Sequence, residues 1–142
     1  MALIAGAGNP TGGSNPAGTG STVSYIGEHV YAYSSQISTL GSQAYTELLG
    51  FTTAANSYIV GNISMFGPVD SADPTSGAAS NFRVSFNGEI IFYVNLETVS
   101  EDHPGQAVVP LLIPSSTTVL IETNASASGW NPSCFITGRV YA

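Results

Sequence analysis

Residues 82–96 alternate apolar and polar side chains on both sides of an Asn87-Gly88 dipeptide, a pattern no helix can use. Phe82, Val84 and Phe86 interleave with Arg83 and Ser85, and Ile90, Phe92, Val94 and Leu96 resume the rhythm after the dipeptide. A period of two puts successive side chains on opposite faces of a strand, and Asn-Gly favours the two-residue turn whose twist suits a hairpin. The segment therefore predicts a β-hairpin with one face in the core.

The same period recurs elsewhere. Thr118, Leu120 and Glu122 alternate with Val119 and Ile121, and Phe135, Thr137, Arg139 and Tyr141 interleave with Ile136, Gly138 and Val140. Val23 to Tyr33, Tyr45 to Thr53 and Tyr58 to Phe66 carry the β-branched and aromatic content of strands, although Tyr45 to Leu49 also suits a helical turn. Pro110 and Pro114 restrict the Val108 to Ile113 strand to a sheet edge or a short length, because proline cannot donate to a ladder. Pro68 to Pro74 and Glu101 to Gly105 read as loops. About eight such strands predict an all-β, antiparallel two-sheet sandwich, either a jelly roll or an immunoglobulin-like Greek key.

A chain of 142 residues makes one domain and buries about two-thirds of its unfolded surface without help from disulfides, which a lone Cys134 could not provide within the chain. Its charges are few and one-sided. There is no lysine, the basic residues are Arg83 and Arg139, and the net charge is -7. Nothing here neutralises a run of phosphates or is drawn to an anionic bilayer, so neither nucleic acid nor membrane is an expected partner. The longest apolar run, around Val108 to Ile113, is far short of the roughly 20 residues a spanning helix needs. Met-Ala-Leu-Ile-Ala-Gly at the start has no positive region and no apolar stretch of signal length, so no export signal is expected.

Residues 1–21 are rich in Gly, Ala, Asn, Pro, Ser and Thr, and bury too little apolar surface to order themselves. They are expected to form an extended arm, with residues 22–142 forming the sandwich.

Chemistry-bearing clusters are scarce. Glu101-Asp102-His103 could serve a divalent metal or act as an acid and base, but next to Pro104-Gly105 it reads more simply as a solvated acidic turn. His29, beside Glu28 in an alternating strand, has no second histidine at a metal-like spacing and reads as structural. No Gly-x-Ser-x-Gly elbow occurs. Gly6, Gly8, Gly12 and Gly13 follow no strand and precede no Lys-Ser/Thr, so they form no phosphate loop. Asn62-Ile-Ser64 and Asn124-Ala-Ser126 match glycosylation acceptors in form only, and read as strand and turn residues. Trp130, between Gly129 and Asn131-Pro132, suits a contact anchor or an end plug better than a sugar platform, since no partner aromatic lies nearby. No enzyme activity, catalytic residue, metal or cofactor is expected.

Five segments carry a resemblance. They are Tyr25-Ile-Gly-Glu-His-Val-Tyr-Ala-Tyr33; Leu48-Leu-Gly-Phe-Thr-Thr53 with Tyr58-Ile-Val-Gly61; Ile113-Pro-Ser-Ser-Thr-Thr-Val-Leu-Ile-Glu-Thr-Asn124; and the ending Ile136-Thr-Gly-Arg-Val-Tyr141. Over residues 23–141 they resemble small structural proteins of tailed phages, especially aquatic ones, read as capsid decoration or cement proteins with a β-sandwich fold. Members often have a second proline where this chain has Ser115, a difference confined to a loop.

The resemblance implies a virion protein on the outer capsid surface, made in the host cytoplasm and partnered by the major capsid protein. A homotrimer over a junction between capsid subunits is expected. The expected contacts are Leu3, Ile4, Asn9, Pro10, Asn15 and Pro16 in the arm, together with Trp130. A lysine-free surface agrees with this, because lysines ordinarily guard sheet edges against pairing. The alternative is a receptor- or carbohydrate-binding module at a tail or fibre tip, since sandwiches present loops well and fold does not dictate function.

Overall fold

The computed structural model describes residues 24–26, 29–34, 44–67, 79–97, 105–125 and 131–141. The arm at 1–21, with Leu3, Ile4, Asn9, Pro10, Asn15 and Pro16, lies outside the described residues, so the expected boundary after residue 21 does too.

The described residues form nine strands: β1 (Ser24–Ile26), β2 (His29–Tyr33), β3 (Thr46–Thr52), β4 (Tyr58–Phe66), β5 (Ala79–Phe86), β6 (Glu89–Glu97), β7 (Gln106–Ile113), β8 (Thr118–Ala125) and β9 (Ser133–Tyr141). One sheet runs β1-β2-β9-β4-β7 and the other β3-β8-β5-β6. Every pairing is antiparallel. Leaving aside the three-residue β1, each sheet has four strands, and the chain crosses between sheets after β2, β3, β4, β5's hairpin partner β6, β7 and β8. That winding is a jelly roll, which decides between the two topologies the sequence left open.

The core is what the alternation demands. Val30, Ile59, Ile63, Met65, Ile113 and Ile136 from the first sheet meet Leu49, Phe82, Val84, Val119 and Ile121 from the second, all buried. Each contributes about 1.5–3 kcal/mol over an exposed position, and together they form the layer that holds the two sheets against each other. The central strands of each sheet, β9 and β4 in one and β8 and β5 in the other, supply most of this layer.

Two β-bulges explain where simple alternation misleads. Glu47 pairs with Glu122 and Leu49 with Ile121, so Leu48 is the extra residue and both leucines are buried. The ambiguous Tyr45 to Leu49 segment is thus a bulged strand entrance and not a helical turn. On β6, Ile90 pairs with Ser85 and Phe92 with Val84, leaving Ile91 as the extra residue. Ile90, expected in the core with Phe92, Val94 and Leu96, is consequently 57% exposed.

The connections are sorted by end. Segments 34–45, 67–78, 98–105 and 126–132 join strands at one end of the sandwich, and the shorter 27–28, 53–57, 87–88 and 114–117 at the other. At the short-turn end the backbone is tied across the sheets' edges. Thr53 Oγ1 donates to the Pro114 carbonyl at 2.6 Å and accepts from the Thr117 amide at 2.8 Å, and the Asn87 amide donates to the Thr118 carbonyl at 2.8 Å. Pro110 sits on β7, an edge strand, where its missing donor costs nothing.

Candidate functional site: the outer face of the five-stranded sheet

The two outward faces differ in kind. On the four-stranded sheet, polar side chains bond to one another. Asn95 Nδ2 donates to Asn81 Oδ1 at 2.6 Å, and Asn81 Nδ2 donates to Asn124 Oδ1 at 2.9 Å. One register step away, Arg83 donates to both carboxylate oxygens of Glu122, from Nε at 2.6 Å and Nη2 at 3.0 Å, with its guanidinium 3.9 Å from the centre of the Tyr45 ring. The Glu122 carboxylate raises the Arg83 pKa, and partial burial, reinforced by a hydrogen bond with Tyr93, pushes the Tyr45 phenol up to about 12. This face is satisfied within itself.

The five-stranded sheet presents the opposite. Alternation turns Val30, Ala32, Ile59, Ile63, Cys134 and Ile136 inward, so Tyr31, Tyr33, Phe66 and Phe135 project outward. Register then brings them together. Tyr33 pairs with Phe135, Phe135 with Ser64, and Ser64 with Val108. The Tyr31 and Tyr33 rings lie 5.6 Å apart, Tyr33 and Phe135 6.0 Å, and Phe135 and Phe66 5.6 Å. Tyr33 is 61% exposed and Val108 53%. No charged side chain occupies these rows, which lie toward the long-connection end.

Toward the short-turn end the same face carries a groove of about 700 Å³ whose lining includes His29, Asn62, Thr137, Arg139 and Tyr141. Gly61 and Gly138 face each other across β4 and β9, so backbone floors this depression. The strands approach so closely there that a Cβ on Gly138 would stand 2.6 Å from the Val60 carbonyl, and one on Gly61 would run into that of Thr137. Tyr141 stacks on Tyr58 with ring centres 5.3 Å apart.

No protein-family model matches the chain, and no curated protein resembles it. Solved structures do. The chain is similar to one in the structure of infectious bursal disease virus, Gx strain, with a TM-score of 0.47 and 13% identity over 82% of this chain and 33% of that one. For the VP2 subviral particle of infectious bursal disease virus the values are 0.44 and 12%, over 82% and 34%. The chain spans about a third of the length of these structures. Identity this low assigns no role to any residue here.

Of the contacts expected from sequence, the arm residues and Trp130 lie outside the described residues, as do Glu28 and Glu101-Asp102-His103. Among the described residues no three of His, Cys, Asp and Glu gather as metal ligands. His29, read as structural, is exposed on the outer face opposite Arg139. Asn62 and Asn124 are strand residues, as expected. The sequence reading missed the aromatic cluster. Its signal was present in part, since alternation placed Tyr31 and Tyr33 together on one face of a strand.

Proposed function

We propose that this chain is a tailed-phage virion protein that attaches to the outside of the capsid and stabilises the assembled shell, without catalysis of its own. The observation that carries this reading is the uncharged aromatic patch of Tyr31, Tyr33, Phe66 and Phe135, flanked by Val108, on a sheet face that no other strand covers among the described residues. A contiguous apolar patch in water marks a contact surface, and aromatic residues are enriched at the centres of protein interfaces. The opposite face is mostly a polar network, with Ile90 and Tyr93 exposed beside it.

The patch lies toward the end at which β8 finishes and β9 begins, and Trp130 stands between these two strands in the sequence. Residues 1–21 precede Ser24, which pairs with Tyr31 of the patch. An end-on mode of attachment therefore unites the aromatic patch with the arm and Trp130 expected to touch the major capsid protein. Three copies around a junction between capsid subunits would share the load. Because a ligand that prefers the assembled state stabilises it by mass action, modest affinity per copy suffices on a lattice of many sites.

Quantitative mass spectrometry of purified particles tests this reading. Hundreds of copies per particle are expected, and a handful per particle would place the protein at a tail tip instead.

A further inference from the structure

The groove at the short-turn end is not needed for end-on attachment, and its chemistry is different from that of the aromatic patch. Arg139 stands directly opposite His29 on β2 and Val60 on β4. Arg83 is paired with Glu122, whereas Arg139 has no carboxylate partner among the described residues. Asn62 and Thr137, opposite each other in the next row, are exposed into the same groove, and Tyr141 forms one side of it. An exposed guanidinium, an amide, a hydroxyl, an imidazole and an aromatic ring thus line a floor of bare backbone.

From this arrangement we infer that the groove binds an acidic sugar, a uronic or sialic acid unit of a glycan. The guanidinium of Arg139 takes the carboxylate through two parallel hydrogen bonds, the geometry for which arginine is suited and lysine is not. Asn62 and Thr137 supply both donors and acceptors, as sugar hydroxyls require. Tyr141, stiffened by its stack on Tyr58, offers an apolar face to the ring. The groove is open to solvent along its length, so a sugar can lie across it with one side in water.

Charge argues that the interaction is local. At a net charge of -7 the chain as a whole repels an anion, so each site is weak and depends on short-range contacts to Arg139. Many copies on one particle would convert weak sites into firm attachment to a glycan-coated surface. From sequence, Trp130 is weighed as a sugar platform and read instead as a contact anchor or end plug. The groove is built from β2, β4, β7 and β9.

Titration of the full chain, followed by nuclear magnetic resonance, tests the inference with cellobiouronic acid against its neutral counterpart cellobiose, and with sialyllactose against lactose. At least one acid sugar is expected to shift the amide signals of Gly61 and Gly138 in a saturable way, binding at least tenfold more tightly than its neutral counterpart. Arg139→Gln should lose at least tenfold in affinity, and Arg139→Lys should recover little of it. Both variants alter an exposed side chain, and unchanged melting temperatures would show that they remain folded. Equal binding of the neutral sugars, full binding by Arg139→Gln, or no saturable shift with either acid would overturn the inference. So would equal affinity for acetate, an adventitious ion only, or for N-acetylglutamate amide, a protein carboxylate. Particle occupancy by Arg139→Gln is a separate readout: it should be unchanged, so failure of sugar binding and failure of capsid attachment are distinguishable.

Discussion

Arg83 on β5 holds both carboxylate oxygens of Glu122 on β8, at 2.6 and 3.0 Å, while Glu47 on β3 stands directly opposite Glu122 on its other side. The arginine therefore joins a carboxylate pair that would otherwise face each other as like charges across a ladder. A partly exposed pair of this kind is worth about 0.5–1 kcal/mol, and the stacking of Arg83 on Tyr45 adds a similar amount. Arg83→Met should lower stability in urea by about 1–2 kcal/mol. Glu122→Gln, which also removes the like-charge contact, should cost less than about 1 kcal/mol. Equal losses would show that Glu47 plays no part.

The Asn87-Gly88 turn makes a second prediction. Asn87 has φ of 51° and Gly88 of 87°, both in the region that side chains disfavour. The Asn87 Oδ1 also accepts a hydrogen bond from the Thr118 amide at 2.9 Å, tying the hairpin to β8. Gly88 has open space where a side chain would go, so Gly88→Ala tests backbone strain alone and should cost about 1 kcal/mol. Asn87→Ala adds the lost hydrogen bond and should cost about 1–2 kcal/mol in the same unfolding assay.

That turn was the most readable part of the chain, because its determinants are local. The strands at 58–66, 118–125 and 133–141 were readable for the same reason: alternation depends on neighbours along the chain. The exposure of Ile90 and the burial of Leu48 were not, since bulges are set by the partner strand's register. The aromatic patch and the Arg139 groove lay further still from view. Tyr33 and Phe135 meet only because β2 lies beside β9, and His29, Asn62 and Arg139 converge only because β4 lies on the other side of it.

Ser80 is fully buried between Leu96 and Ala125, and its hydroxyl has no hydrogen-bond partner among the described residues. Burying that group without compensation costs stability. Ser80→Ala removes the hydroxyl and is expected to stabilise the fold by about 0.5–1 kcal/mol, raising the denaturation midpoint. A loss of stability would mean that the hydroxyl is satisfied in the folded state.

Cys134 faces the core, and burial pushes its thiol pKa up to about 12. The folded state therefore keeps a proton that the unfolded state releases above its ordinary value near 9. Stability from this group is fully present below pH 9 and is lost as pH rises toward 12, in the same direction as the raised Tyr45 phenol. Cys134→Ala should flatten the decline in melting temperature between pH 9 and 11. In the native protein the thiol should react with a maleimide at pH 8 only as fast as the fold opens.

End-on attachment through the aromatic patch is tested most directly by hydroxyl-radical footprinting of the protein free and on particles. Oxidation of Tyr33, Phe66 and Phe135 should fall several-fold on the particle, while Tyr93 on the other sheet and Tyr141 beside the groove keep their reactivity. Unchanged labelling of Tyr33 and Phe135 on an occupied particle, or protection of Tyr93 in their place, would contradict the account.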